Sequence, residues 1–376
     1  MSVPNWSRWA SKCSEGYSRS RIGARLTTYD AKDPDTSFPP IKPLRPPEGA
    51  PNVLVVLLDD GGFGASHTFG GPVNTPVLDN LAETGLRYTR FHTTSLCAPT
   101  RAALLSGRNH HTVGMGVIGE LATSAPGYSS MRPNTCAPLA EVLKLNGYST
   151  AQFGKCHEVP VWESSPLGPF DSWPAGGGGF EYFYGFIGGE TNQYAPSRYE
   201  GMTPVEPEKT PEEGYHLTED LADRAIGWIR QQKTLMPDKP FFVYFAPGAT
   251  HAPHHVPPEW SAKYKGRFDQ GWDSLREEIL ARQKELGVVP PEAELTARPA
   301  EIPAWADTPE ELKPVLARQM EGTPASWSTP TITSAGCSTR WPISTCWTTR
   351  WSSPWSATME PPPKALSTAR STSSSA

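Results

Sequence analysis

The chain has 376 residues, enough to bury one large α/β core or two ordinary ones. Its formal net charge of −5 offers no basic excess for wrapping nucleic acid or binding an anionic membrane, so neither is expected as a partner. Six cysteines (Cys13, Cys97, Cys136, Cys156, Cys337 and Cys346) stand without paired spacing, which argues against a disulfide framework or a zinc cluster.

The opening residues lack the apolar stretch of a secretion signal, and no apolar run approaches the ~20 residues that span a bilayer. A soluble, cytoplasmic protein is expected. Residues 1–48 are polar and end in FPPIKPLRPPEG, whose prolines favour extended backbone. They read as an arm laid along a domain that starts near residue 49.

NVLVVLLDD, residues 52–60, predicts a strand buried on both faces. It ends in Asp59, Asp60 and two glycines, placing both acids at a strand's carboxyl end, where open α/β sheets bind ligands. Residues 75–85 predict a helix, with Thr75 as N-cap, Pro76 in the first turn and Gly85 at the end. LRYTRFHT, residues 86–93, predicts a strand. Cys97 follows, just ahead of Pro99 and a short helix closed by Gly107.

Residues 138–147 predict another helix, and YSTAQFGK, residues 148–155, a strand running into Lys155 and His157. Leu221, Ala225, Ile226, Trp228 and Ile229 recur at helical spacing, and PFFVYFAP follows as a buried strand leading into GATHAPHH. A last helix is predicted over 274–285. Strands alternating with helices imply a layered α/β domain with polar residues gathered at strand ends.

Two adjacent acids at a strand end can offer hard oxygen ligands to Ca²⁺ or Mg²⁺, or form a solvated turn. Cys97-Ala98-Pro99-Thr100-Arg101 is more specific, and Ala102 to Leu105 with Ser106-Gly107-Arg108 extend it. The stretch resembles the signature of the sulfatases, in which the cysteine is oxidised to formylglycine. Cys136 repeats Cys-x-Pro without the arginine and is assigned to the core.

The resemblance runs from about residue 51 to 319 and is closest to bacterial arylsulfatases. NVLVVLLDDGGFG resembles the family's first metal segment, with Gly61 where valine or isoleucine is usual. FGKCHE resembles its Gly-Lys-x-His segment, with Cys156 where tryptophan is frequent. His251 stands where a histidine faces the leaving group. The resemblance implies an alkaline phosphatase-like layered sandwich with a central, mostly parallel sheet.

It also implies that Asp59, Asp60 and formylglycine-97 bind Ca²⁺, or Mg²⁺ in its place. Arg101 and Lys155 would hold the sulfate and the hydrated aldehyde, and His157 and His251 would handle protons. The partners implied are a small sulfate ester and a formylglycine-generating enzyme. Singly, Lys155, His251 and the pair His110-His111 have structural readings, and His254 and His255 are left to the scaffold. Two other functions stay open: a phosphonate or phosphate ester hydrolase of the same superfamily, and an inactive remnant.

The remnant has a specific motive. The family's later Asp-Asn-Gly segment and a still later lysine are not found, and residues 322–376 hold 24 Ser or Thr, five Trp, no Asp and one Glu. These 55 residues read as out-of-frame, disordered translation of a truncated sulfatase. Ala357-Thr358-Met359-Glu360, encoded GCG ACA ATG GAG and read from the third base, becomes Asp-Asn-Gly. The expected domains are therefore an arm at 1–48, a catalytic part at 49–321 and an aberrant tail.

Overall fold

The computed structural model describes residue 30 and residues 32–36, 42–333 and 343–349. The described strands are β1 (Asn52–Leu58), β2 (Ser149–Cys156), β3 (Tyr182–Ile187), β4 (Arg198–Glu200), β5 (Thr203–Val205), β6 (Phe241–Ala246) and β7 (Ile343–Thr349). They form one sheet in the order β5-β4-β3-β2-β6-β1-β7. From β3 to β7 all neighbours run parallel, while β4 and β5 add an antiparallel edge. The described helices are α1 (Pro76–Thr84), α2 (Cys97–Ser106), α3 (Leu139–Leu145), α4 (Leu217–Leu235), α5 (Pro258–Ala262), α6 (Gly271–Glu285) and α7 (Lys313–Thr333).

Period-two alternation in the central strands builds the layers. Leu54, Val56 and Leu58 of β1, with Phe241, Val243 and Phe245 of β6, face a core that holds Leu78 of α1 and Leu221, Ala225, Trp228 and Ile229 of α4. Val55 and Leu57, with Phe242, Tyr244 and Ala246, face the other way onto Ala140 of α3 and Leu104 and Leu105 of α2. Both faces are thus buried, as the continuous apolar runs imply, and each such side chain contributes about 1.5–3 kcal/mol. The result is the expected layered α/β fold.

The structure differs from expectation in three places. Residues 86–93 are not a strand: they pair with nothing regular, and Leu86 and Tyr88 are exposed. Their alternation suits a strand, but a strand needs a neighbour with which to share its backbone hydrogen bonds. Thr75 stands at the N-cap of α1 yet makes no capping bond, its hydroxyl lying 2.7 Å from that of Ser66 instead.

The third difference concerns the tail. Helix α7 runs straight through the boundary placed after residue 321, and Ala325 and Trp327 are buried. Gly61 makes room for that indole, since a Cβ there would lie 2.0 Å from Trp327 Cζ2. Strand β7 pairs with β1 at the sheet edge. Residues 357–360, the proposed hidden Asp-Asn-Gly, lie outside the described residues, as does most of the arm; Arg45 of the arm pairs with Asp238 at 2.8 Å.

Candidate active site

Because β1, β2 and β6 are parallel neighbours, their carboxyl ends bring Asp59, Lys155 and the loop through His251 to one edge of the sheet. Backbone bonds lock two of these ends together. Asp59 N donates to Ala249 O at 3.1 Å, and Thr250 donates to Asp59 O through its N at 2.8 Å and its hydroxyl at 2.7 Å. Asp60 then turns into left-handed backbone (φ 53°), uncommon for a residue with a side chain, and the chain bends at the strand end.

Asp59 is fully buried between two cations. Lys155 Nζ lies 2.5 Å from its Oδ2, and Arg101 Nη2 lies 3.3 Å from its Oδ1, with all three side chains shielded from solvent. Arg101 Nη1 donates to Lys155 O and to the Tyr244 hydroxyl, each at 3.3 Å. Burial opposes charge on the guanidinium, but Tyr244, Asp59, Glu158 and Cys97 outweigh it and raise its pKa. Its Nε and Nη2 make no hydrogen bond among the described residues, a costly state for a buried donor.

Helix α2 places Arg101 one turn behind Cys97. Pro99 sits in the first turn, where its missing N–H costs nothing, and Gly107 closes the helix at φ 65° with its N–H on Ala103 O. Cys97, the first residue of α2, is buried, and its Sγ lies 2.9 Å from His157 Nδ1. The other ring nitrogen of His157 meets Glu120, with Nε2 at 2.9 and 3.0 Å from the two carboxylate oxygens. Glu158 accepts from the His157 backbone N at 2.8 Å and from Cys156 Sγ at 3.3 Å. Burial, aided by Glu158, pushes the Cys156 thiol well up, so it is an inert packing group. Cys136 is buried in the core beneath α2, as assigned.

Asp60 and His251 make a neighbouring pair at 3.6 Å, and Glu190 lies 3.6 Å from the other nitrogen of that ring. The expected site residues therefore fall into two groups: Asp59, Cys97, Arg101, Lys155 and His157 in one network, Asp60 and His251 beside it. Carboxylates are suitable chemistry for Ca²⁺ or Mg²⁺, which take six or more oxygens. Yet both Asp59 oxygens face cations, Asp60 faces His251, and no three His, Cys, Asp or Glu among the described residues gather as a metal site. The described residues alone do not fit the ion.

Against this geometry the comparisons are decisive. The sulfatase family model matches residues 51–312. The chain belongs to the sulfatase family. It is 32% identical over 289 residues to an uncharacterized sulfatase of Schizosaccharomyces pombe, covering 72% of this chain and 50% of that protein. It is 29% identical over 274 residues to the arylsulfatase of Klebsiella aerogenes, covering 70% of this chain and 56% of that one. This sulfatase chain thus spans about half the length of these curated relatives.

A crystal structure of a Bacteroides fragilis protein named as a sulfatase superposes with a TM-score of 0.55 at 20% identity, covering 76% of this chain and 57% of that one. The likeness confirms the alkaline phosphatase-like α/β fold. No helix among the described residues of the sulfatase is long and apolar enough to cross a membrane.

Sequence reasoning missed Glu120, Glu158, Glu190 and Tyr244. Glu158 could have been flagged as the acid following His157, and Tyr244 as the one polar tip in PFFVYFAP. Glu120 lies 37 residues before the histidine that it meets, and no local pattern announces it.

Proposed function

We propose that this chain hydrolyses a sulfate ester to an alcohol or phenol and inorganic sulfate, in the manner of an arylsulfatase. The observation that carries the reading is Arg101, a fully buried guanidinium beside Cys97 whose Nε makes no hydrogen bond among the described residues and whose Nη2 has its ion pair with Asp59 but no hydrogen bond. A thiol is a poor acceptor, whereas the oxygens of a hydrated formylglycine and of a sulfate are good ones. Oxidised to formylglycine and hydrated, residue 97 supplies one hydroxyl to attack sulfur and a second whose deprotonation expels sulfate.

The other roles follow from position. Arg101 and Lys155 hold the anionic oxygens in a dry site, where such contacts are worth most. His157, within 2.9 Å of residue 97, takes the proton that releases sulfate. His251, on the rim beside Asp60, protonates the departing oxygen. The partners are a small sulfate ester and an enzyme that oxidises Cys97. Cys97, Cys136 and Cys156 are free thiols, which fits a reducing cytoplasm.

The pairing of both Asp59 oxygens with Arg101 and Lys155 favours a second reading, a chain as written that turns over weakly or not at all. The test is hydrolysis of 4-nitrophenyl sulfate by protein whose residue 97 is shown by mass spectrometry to be formylglycine. Parallel assays would use an aryl phosphonate and the Cys97→Ala variant. Sulfate release lost in Cys97→Ala supports the reading; preference for the phosphonate moves it to the sister chemistry, and no turnover supports the inactive form.

A further inference from the structure

We infer that Glu120 is a positioning residue that keeps the proton of His157 on Nε2 and turns the Nδ1 lone pair toward residue 97. The inference deepens the sulfatase reading and rests on it for its kinetic part only.

Glu120 sits in a short helical turn, Gly119–Leu121, inside the long connection between α2 and α3. That connection is braced by its own backbone. Met115 N bonds His110 O at 2.8 Å, Gly116 N bonds Gly127 O at 2.8 Å, and Ser130 N bonds Gly114 O at 2.9 Å. Gly119 is itself buried, and a Cβ on it would come within 3.1 Å of Ser130 Oγ. The carboxylate is therefore delivered by an anchored segment rather than by a free loop.

The His157 residue is held at its backbone, at both ring nitrogens and against one neighbouring glycine. Glu158 accepts from its backbone N, and Gly189 lies flat against the ring, where a Cβ would stand 3.0 Å from Cε1 and 3.3 Å from Nε2. Glu120 straddles Nε2 with both oxygens. The Glu120 side chain is half exposed, so solvent reaches its carboxylate while both oxygens lie against the ring nitrogen. An ionised carboxylate can only accept, so Nε2 carries a hydrogen and the neutral ring has its lone pair on Nδ1. Nδ1 is the nitrogen that faces residue 97. When it accepts the proton of a hydroxyl there, the ring becomes a cation, which the same carboxylate stabilises.

The experiment uses the full chain labelled with ¹⁵N-histidine at pH 8, with Cys97 unmodified, and His157 assigned through His157→Gln. Long-range proton–nitrogen correlation reads the tautomer without any turnover. The expected pattern is Nε2–H with unprotonated Nδ1 in the parent, lost in Glu120→Ala and largely restored in Glu120→Gln, whose carbonyl oxygen still accepts. In formylglycine-bearing enzyme, Glu120→Ala should lower kcat on the order of 10–100-fold with KM little changed. Leu121→Ala, an exposed neighbour, should change neither. A proton on Nδ1 in the parent, or a tautomer unaltered in Glu120→Ala, overturns the inference. If the parent shows no turnover, the sulfatase reading fails, and the positioning role is decided by the tautomer alone.

Discussion

Lys155 Nζ lies 2.5 Å from Asp59 Oδ2, and neither side chain has any exposed surface. The two come from β2 and from the end of β1, strands separated by β6, so the pair bridges the centre of the sheet. Removing Lys155 takes away one of the two cations that face the buried Asp59 carboxylate and leaves Arg101 to hold it from the other oxygen. Lys155→Met should destabilise the protein by about 3–5 kcal/mol, read from urea unfolding. A loss under about 1 kcal/mol would mean that Arg101 alone suffices to hold the buried Asp59 carboxylate.

Gly154 and Gly185 are register partners on β2 and β3. A Cβ on Gly185 would lie 1.9 Å from Gly154 O, and backbone in a central sheet cannot step aside. Gly185→Ala should therefore cost about 3 kcal/mol or more, seen as a lowered denaturation midpoint. An unchanged midpoint would contradict this close strand approach.

His216 caps α4 through Nδ1, which accepts from Thr218 N at 3.3 Å, while Nε2 donates to His255 O at 3.0 Å. Burial depresses its pKa below the ordinary 6.5, against the opposing pull of the His255 carbonyl and Glu219. The folded protein thus holds this ring neutral, and the unfolded chain takes the proton first. The contribution is full above pH 6.5 and is lost as pH falls through the folded value. The urea midpoint should drop on acidification in this window, and His216→Asn, which retains a capping side chain, should flatten that slope. An identical slope in the variant would remove His216 as its source.

Tyr184, Tyr215 and Tyr244 have pKa values raised above the ordinary 10.0 by burial. Asp220 adds to the effect for the first two, and Glu158 for Tyr244 against the pull of Arg101. In the unfolded chain they lose protons near pH 10, so stability is full below that value and falls as pH rises toward the folded values. Absorbance titration should show exposed tyrosines ionising first and these three only together with unfolding. A single smooth titration at pH 10 without unfolding would contradict their burial.

Much of the scaffold was legible in the chain because its strands are buried on both faces and leave continuous apolar runs. NVLVVLL and PFFVYFA are unambiguous for that reason, and Asp59, Lys155 and His157 follow from their positions at or just past the carboxyl ends of strands. The helix behind Cys97 was marked by local chemistry, a proline tolerated in the first turn and a glycine able to adopt φ 65°. Residues 86–93 show the limit of such reading, since alternation records a strand's willingness but not whether a neighbour is there to pair with it.

What only the tertiary structure decided was pairing at a distance. That Asp59 is held by Lys155 and Arg101, that His157 lies between Cys97 and Glu120, and that Trp327 fills the space left by Gly61 each join residues tens or hundreds of positions apart. Periodicity and capping act within a few residues along the backbone, whereas these contacts exist only once parallel strands have brought their carboxyl ends to one edge. Residue type could name the chemistry of each group, but which proton faces which neighbour is set by where the folded sheet and its loops place them.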